Sequence, residues 1–266
     1  MVSILYHART NGFVVSRLAK ASDGKIAILR DRNILPNKVN GTLIRWDSKK
    51  ELDADRVINT AQAVKLSRNK RDSRFAMKGL CPETWNRLED LEYPCLIRPK
   101  RHYAARGFFV CHDRAEARLA IREIGRLRFY ASPIINKKLE YRIFVFQGHI
   151  VKVVRRFHDN PNEVAWNIAN GGKSVRLKRE SWPIESCKVA ILAGRAIGLD
   201  WFAADVIVDA DGKPFVLELN TAPGLDREET FKNLAKLFVW ADQGVVPVEN
   251  NLKGQTWKTL IHPALT

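Results

Sequence analysis

Residues 202–224, FAADVIVDADGKPFVLELNTAPG, decide how this chain is read. Ala203 to Val208 and Phe215 to Asn220 are rich in apolar, strand-favouring residues. Between them, Asp209-Ala210-Asp211-Gly212-Lys213-Pro214 is dense in turn formers. A turn centred on Asp211 and Gly212 sets Asp205 across from Glu218, and Asn220, two residues on, shares their face. Carboxylates facing each other across a sheet repel, and inside apolar runs an unpaired one is costly. A cation between them relieves both penalties. Asp, Glu and Asn offer only hard oxygen donors, which suits Mg²⁺ or Mn²⁺ and not zinc. Mg²⁺ in such a set completes its shell with water and substrate phosphates. The stretch is therefore expected to be a nucleotide–metal hairpin with Asp205, Glu218 and Asn220 as ligands. The competing reading is a hairpin whose acidic edge keeps the sheet soluble.

The rest of the chain bounds this reading. Its 266 residues suffice for two compact domains or three small ones, and 45% apolar content is ample for their cores. Lys and Arg number 45 against 29 Asp and Glu, a net charge of +16 that favours anionic partners: nucleotides, acidic peptides or nucleic acid. The four cysteines are scattered, which fits neither a zinc motif nor a disulfide framework and points to a reducing, cytoplasmic setting. No apolar run approaches membrane-spanning length and no signal peptide is expected, so no membrane partner is expected either.

In chain order, Ser3–Tyr6, Lys25–Leu29 and Thr42–Trp46 read as strands and Gly12–Ala21 as a helix, a small α/β layer. Ala54–Gly79 reads as a long basic helical stretch broken by charged turns, and it contains Asn69-Lys70. Cys95–Arg98 and Phe108–Cys111 read as hairpin partners around a polar loop carrying Lys100, Arg101, His102, Arg106 and Gly107. Asp113–Leu127 reads as a helix with Asp113 as N-cap, Glu116 completing a capping box, and Ala117, Ile121, Ile124 and Leu127 on its apolar face. Phe129–Ile135, Leu139–Phe146 and Ile150–Arg156 read as strands, the last carrying a cluster of Lys152, Arg155 and Arg156. Ser181–Gly198 reads as a helix capped by Ser181, burying Val189, Leu192, Ala193, Ala196 and Ile197. Residues 227–241 read as a last helix, and residues 243–266 show no usable pattern.

Asp205 with Glu218-Leu219-Asn220 and Pro223-Gly224 behind resembles the metal end of ATP-grasp ligases, most of all the branch that joins carboxylates to amines. The resemblance covers roughly residues 69–224 and is strongest from Glu140 onward. It implies that Lys70, with Arg71 and Arg74 as near alternatives, reaches the nucleotide phosphates from the domain junction. It implies that Arg98, Lys100 and the flap around Gly107 cover those phosphates. The chain departs from the family there, with Arg98 where lysine is usual and Gly107 as the flap's one glycine. An arginine can take that part, being always charged and forked onto two oxygens. Ser132, Ile134 and Ile135 match the strand whose backbone holds adenine, although the usual ribose-binding Glu has no counterpart beside Pro133 or Asn136. Glu140-Tyr141-Arg142 is similar to the family's Glu-Tyr-Arg, and Arg156, Asn167, Gly171 and Gly172 resemble the glutamate-ligase pattern.

The implied fold is an α/β ATP-grasp arrangement. Residues 1–83 would form a small N-terminal α/β domain with a basic linker helix, 84–148 the flap lobe, 149–245 the large lobe with the metal hairpin, and 246–266 a tail. The implied reaction uses ATP and Mg²⁺ (or Mn²⁺). A small-molecule or peptide carboxylate becomes an acyl phosphate, and an amine then displaces phosphate. Asp205, Glu218 and Asn220 would hold metal, while Arg142, Arg156 and Asn167 would face the reacting carboxyl group. No general base stands out; His102, His112, His149 and His158 are present without an assigned part. Three alternatives stay open: another ATP-grasp outcome such as peptide tailoring or phosphoryl transfer, an ATP-binding but inactive module, and a basic nucleic-acid-binding protein.

Overall fold

Four parallel strands open the chain. β1 (Val2–Tyr6), β2 (Ile26–Arg30), β3 (Lys38–Trp46) and β4 (Asp53–Ile58) pair in the order β2-β1-β3-β4, with α1 (Gly12–Lys20) crossing from β1 to β2. The computed structural model describes residues 1–7, 9, 12–100, 107–160, 166, 171–244, 252, 254 and 256–265. The basic stretch expected to be helical from Ala54 onward is a strand as far as Ile58. β4 is an edge strand whose Asp53, Asp55 and Arg56 face solvent, so its sequence lacks the apolar alternation of a half-buried strand. Two short helices follow. α2 (Ala61–Ser67) is capped by the Thr60 side chain accepting from the Ala63 N–H, and α3 (Lys70–Ala76) by Asn69 accepting from the Asp72 N–H.

β5 (Cys95–Pro99), β6 (Phe109–Cys111) and β7 (Phe129–Pro133) form a second sheet in the order β6-β5-β7, covered by α4 (Arg114–Ile124). Asp113 caps α4 by accepting from the Glu116 N–H, while the Glu116 carboxylate accepts from His112, one residue before the cap. Gly125, at φ +96°, ends the helix early. Leu127 therefore falls outside the apolar stripe and stands 81% exposed.

The third sheet is antiparallel and runs β10-β9-β8-β11-β12: β8 (Lys137–Phe146), β9 (His149–Phe157), β10 (Lys173–Arg176), β11 (Trp201–Asp209) and β12 (Pro214–Asn220). β8 belongs here and not with the flap lobe, so the break between sheets falls at 134–136 rather than after Gly148. One face packs on α5 (Ile184–Ile197), α2 and α3 through Tyr141, Ile143, Val153, Ala204 and Val206. The other, with Phe144, Phe146, Trp201 and Ala203, meets the N-terminal layer and α6 (Glu228–Asp242). α5 begins after Pro183 without a side-chain cap; Ser181 lies in a preceding 3-10 turn. Its buried residues include Cys187, Ala190, Ile191, Ala193, Gly194 and Ile197, whereas Leu192 and Ala196 face outward. The apolar face is turned because Gly194 receives the Phe202 ring, which a Cβ there would meet at 2.3 Å.

Asn59 clamps the first sheet to the third. Its side chain accepts from the N–H groups of Asp200 and Trp201 at 2.9 and 3.0 Å and donates to the Trp201 carbonyl at 2.7 Å. Trp46 stacks on Trp201 with centroids 5.5 Å apart.

The C-terminal segment, unpatterned in sequence, returns to this core. After α7 (Trp257–Leu260), Ile261 bridges Ile150 in parallel, and buried His262 lies against Phe146, His149 and Trp240 at 5.4, 5.6 and 5.0 Å. Burial, with His149 adding to it, pushes the His262 pKa down to about 3. The unfolded chain thus takes up this proton at a higher pH than the folded one does, and the contribution is lost as pH falls below the ordinary 6.5. Thermal unfolding should show stability falling by up to about 1.4 kcal/mol per pH unit from this group. His262→Phe, which keeps the aromatic packing, should flatten that slope; an unchanged slope would assign it elsewhere.

Candidate active site

The hairpin of β11 and β12 builds the centre. Asp209 shapes its turn by accepting from the N–H groups of Asp211 and Lys213 at 3.0 and 2.8 Å, and Gly212 takes φ +85°. This turn is tighter than the sequence implies, pairing Val206 with Val216 and Val208 with Pro214. A β-bulge between Asp205 and Val206 then shifts the register, so that Asp205 faces Glu218 and Ala203 faces Asn220. On the other side of β11, Asp205 faces Arg142 of β8, and on the next strand pair Glu140 faces Arg156 of β9.

These registers place opposite charges side by side. The Arg142 guanidinium forks onto Asp205, Nε to Oδ1 at 2.7 Å and Nη2 to Oδ2 at 2.8 Å. Arg156 Nη1 donates to both Asp205 and Glu140 at 3.1 Å, and Lys137 donates to Glu140 at 2.8 Å. Lys70, at the start of α3, holds Glu218 at 2.9 Å. Burial alone would raise the Asp205 carboxyl; Arg142 and Arg156 overcome it and hold the pKa at about 2. The Lys70 ammonium holds Glu218 below its ordinary range, against burial and the neighbouring Asp205. Burial works against the Lys70 charge, and Glu218 more than restores it. Here the structure corrects the sequence argument. Opposed carboxylates were expected to need a divalent ion, yet three protein cations neutralise them. Among the described residues no three His, Cys, Asp or Glu side chains group as a metal site.

Cations outnumber their acidic partners a short way off. Arg74 is 2% exposed, donates through Nε to the Leu217 carbonyl at 3.3 Å, and lies 5.3 Å over the Tyr130 ring. Its Nη1 is buried without a hydrogen-bond partner, as is Nε of Arg98, the residue facing Tyr130 on β5. Burial, together with Arg98, lowers the Arg74 pKa. Buried donors of this kind are costly until an acceptor arrives. Arg71 turns away, to Asp72 and the Leu127 carbonyl, so Lys70 and Arg74 are the two cations that α3 directs at β12. The Lys70 N–H donates to the Lys100 carbonyl at 2.9 Å, and the Lys100 N–H to the Arg128 carbonyl, tying α3 to the end of β5. Tyr130 joins the site through the β5–β7 register, which sets it opposite Arg98 and which no local spacing in the sequence marks.

Ser132 lies buried on β7, Ile134 and Ile135 follow that strand, and Gly107, at φ +71°, re-enters β6. Asn167 lies outside the described residues, as do Arg101, His102 and Arg106. Gly171, at φ +81°, and Gly172 precede β10. The basic cluster on β9 divides by strand alternation: Arg155 faces outward, while Lys152 shares the Arg156 face and holds Asp226 at 2.5 Å. His112 uses its backbone at the α4 cap, His149 packs on His262, and His158 bonds Asn160.

Comparison with known proteins follows the same lines. The chain is 22% identical over 246 residues to a D-alanine–D-alanine ligase of Fusobacterium nucleatum, covering 89% of this chain and 78% of that protein. It is 30% identical over 119 residues to a probable alpha-L-glutamate ligase of Legionella pneumophila, covering 44% of this chain and 38% of the relative. Among solved structures, the ATP-grasp ligase PsnB, complexed with a minimal precursor, Mg and ADP, matches with a TM-score of 0.66 at 11% identity, over 90% of this chain and 96% of that one. A D-alanine–D-alanine ligase from Bacillus anthracis matches with a TM-score of 0.61 at 12% identity, over 91% and 96%. Both likenesses show the ATP-grasp fold. The RimK-like ATP-grasp domain matches residues 85–238, and on that match the chain belongs to the RimK-like ATP-grasp family.

Proposed function

We propose that this ATP-grasp ligase joins a carboxylate of a small molecule or peptide to an amine through an acyl phosphate. The observation that carries the reading is the row Arg142, Asp205, Glu218 across three adjacent strands, flanked by Arg156 and Lys70. Lys70, Arg98, Lys100 and Arg74 are assigned to the triphosphate, and the orphaned donors of Arg74 and Arg98 support this, since a phosphate would supply the acceptors they lack. Ser132 on β7, with Ile134 and Ile135 just beyond its end, would hold adenine, with Gly107 at the flap. A carboxylate oxygen of the substrate attacks the γ-phosphorus, an O–P bond forms, and ADP leaves. An amine nitrogen then attacks the carbonyl carbon and inorganic phosphate leaves with the C–O electron pair. Arg142 and Arg156 stabilise the negative charge that grows on the reacting oxygens. Asn167 is assigned beside them from its position in the glutamate-ligase pattern.

Asp205, Glu218 and Asn220 suit Mg²⁺ or Mn²⁺ by donor chemistry, all three being hard oxygen ligands. Bound there, the ion would neutralise phosphate charge. Both carboxylates already hold protein cations, and Asn220 Oδ1 accepts from the Ala222 N–H, so the set is weak by itself. Metal and nucleotide are thus expected to bind together.

Three measurements follow from this reading. ADP release should be screened across pools of amino acids and peptides, with product masses read afterwards. Amine-dependent release that falls roughly 100-fold or more in Glu218→Ala and Arg142→Met supports the ligase; ATP binding without release from any pool would identify an inactive module. Titration with Mn²⁺ should show weak binding alone and tight binding with a non-hydrolysable ATP analogue. Lys70→Ala should tighten the metal-only site by freeing Glu218, and equal affinity with and without nucleotide would remove the metal assignment. Arg74→Met should weaken nucleotide binding by about tenfold, corresponding to about 1.4 kcal/mol, with little loss of thermal stability. A large drop in stability with unchanged nucleotide affinity would make Arg74 structural.

A further inference from the structure

Five arginines in and just after α4 go without acidic partners among the described residues. Arg114, Arg118 and Arg122 stand four residues apart on the helix, and Arg126 and Arg128 follow its end. All five are exposed, and among the described residues none of their side chains enters an ion pair or a hydrogen bond. Surface cations elsewhere do find acids: Arg17 meets Glu228 at 2.6 Å, and Lys38 and Arg176 meet Asp55 and Glu229 at 2.7 Å.

The acids of the same helix stand apart from this row. Asp113 is the N-cap, and Glu116 accepts from the His112 N–H. Glu116 and Glu123, seven residues apart, share one flank of α4 and line a groove against Phe109 and Val110 of β6. Arg114, Arg118 and Arg122 advance along the opposite flank, with the buried face of Ala117, Ala120 and Ile121 between the two. The row works against its own helix. Arg114, the first helical residue, opposes the helix dipole, and like charges four residues apart repel. Helix stability therefore does not account for it. Arg128 stays with the row, because its N–H donates to the Gly125 carbonyl at 2.8 Å and its stem folds over the helix end, where a Cβ at Gly125 would lie 3.7 Å from Cδ.

This flank lies away from the candidate active site. Cys95, Ile97, Phe129 and Ala131 pack beneath α4, and strand alternation turns Arg98 and Tyr130 to the other face of that sheet. A ligand on the outer side of α4 thus leaves the face carrying Arg98 open.

We propose that this flank of α4 docks the phosphate backbone of a duplex nucleic acid. Successive arginines of the row are about 6 Å apart along the axis, at ~1.5 Å per residue. That step is close to the one between neighbouring phosphates on a single strand of a duplex. Arginine forks onto phosphate oxygens in pairs, and a phosphate row supplies the charge that the chain's own acids do not. α4 carries no aromatic side chain on which unpaired bases could stack, which favours a duplex over a single strand. Contacts to phosphates carry no sequence information, so binding is independent of sequence. The net charge of +16 adds long-range attraction to the same partner.

Salt dependence tests this. Fluorescence anisotropy would follow a labelled duplex DNA of arbitrary sequence across a salt series, with Mg²⁺ and a non-hydrolysable ATP analogue present to occupy the nucleotide site. The full chain should bind the duplex, with affinity falling steeply as salt rises. Each phosphate contact adds about 0.9 to the slope of log affinity against log salt. Arg114→Gln, Arg118→Gln and Arg122→Gln together should lower that slope by about 2 to 3 and weaken binding at least about tenfold. Arg118→Gln alone, which disturbs the helix least, should lower it by about 1. Lys20→Gln, Lys25→Gln and Arg32→Gln together remove the same charge from exposed positions of the N-terminal layer and should lower it by less than about 1. The single strand and polyglutamate should each bind more weakly than the duplex. Equal slopes for the two triple variants would assign binding to overall charge, and tighter binding of the single strand or of polyglutamate would assign a different partner. Either result, or no binding of the duplex by the unaltered chain, overturns the proposal.

Discussion

Arg142, Asp205 and Glu218 sit side by side on three adjacent strands, Asp205 buried and its two neighbours half-buried. A carboxylate taken out of water is tolerable only with a cation and hydrogen bonds in place. Asp205 obtains both from the two-point Arg142 fork and from Arg156, and Glu218 obtains them from Lys70. Antiparallel register sets which residues meet, so the charge pattern is written into the sheet. The bulge beside Asp205 shows how finely, since a slip of one residue would move the facing side chain to the opposite face.

The same row explains why three separate sheets converge here. Lys70 comes from the helices that follow the first sheet and reaches the third, while its backbone N–H bonds the Lys100 carbonyl at the end of the second. Asn59 and the Trp46–Trp201 stack hold the first and third sheets together without using any of the charged residues. The scaffold contacts and the reactive face are therefore distinct. Pairing partners in the charged row can be exchanged when an anion enters, with the clamp left intact.

Charge balance favours such an exchange. Arg74 and Arg98 add two guanidinium groups with buried, unsatisfied donors beside a cluster whose carboxylates are already matched. A protein interior holds unmatched cations at a cost in desolvation. That cost is offset when a polyanion supplies acceptors in the right place, the physical basis of a phosphate site. Divalent metal fits the same logic. On the proposed reading it would enter with the phosphates and take carboxylates from protein cations, rather than fill a gap that the acids leave open.

Much of this was readable before any fold was known. The turn formers of residues 209–214 between two apolar runs predict the hairpin and put Asp205 opposite Glu218, a pairing that the bulge restores; Asp113 and Gly198 mark helix ends; and Glu218-Leu219-Asn220 carries the family resemblance. Those signals are local, because turn chemistry, caps and a two-residue period act within a few positions of chain. Tertiary structure decided the rest. It made polar β4 a strand by giving it an edge, turned α5 so that Gly194 meets Phe202, and drew His262 into an aromatic pocket. It also decided which charges neutralise which. Lys70 and Glu218 are joined by strand order and packing, and no spacing along one chain specifies contacts made between different elements.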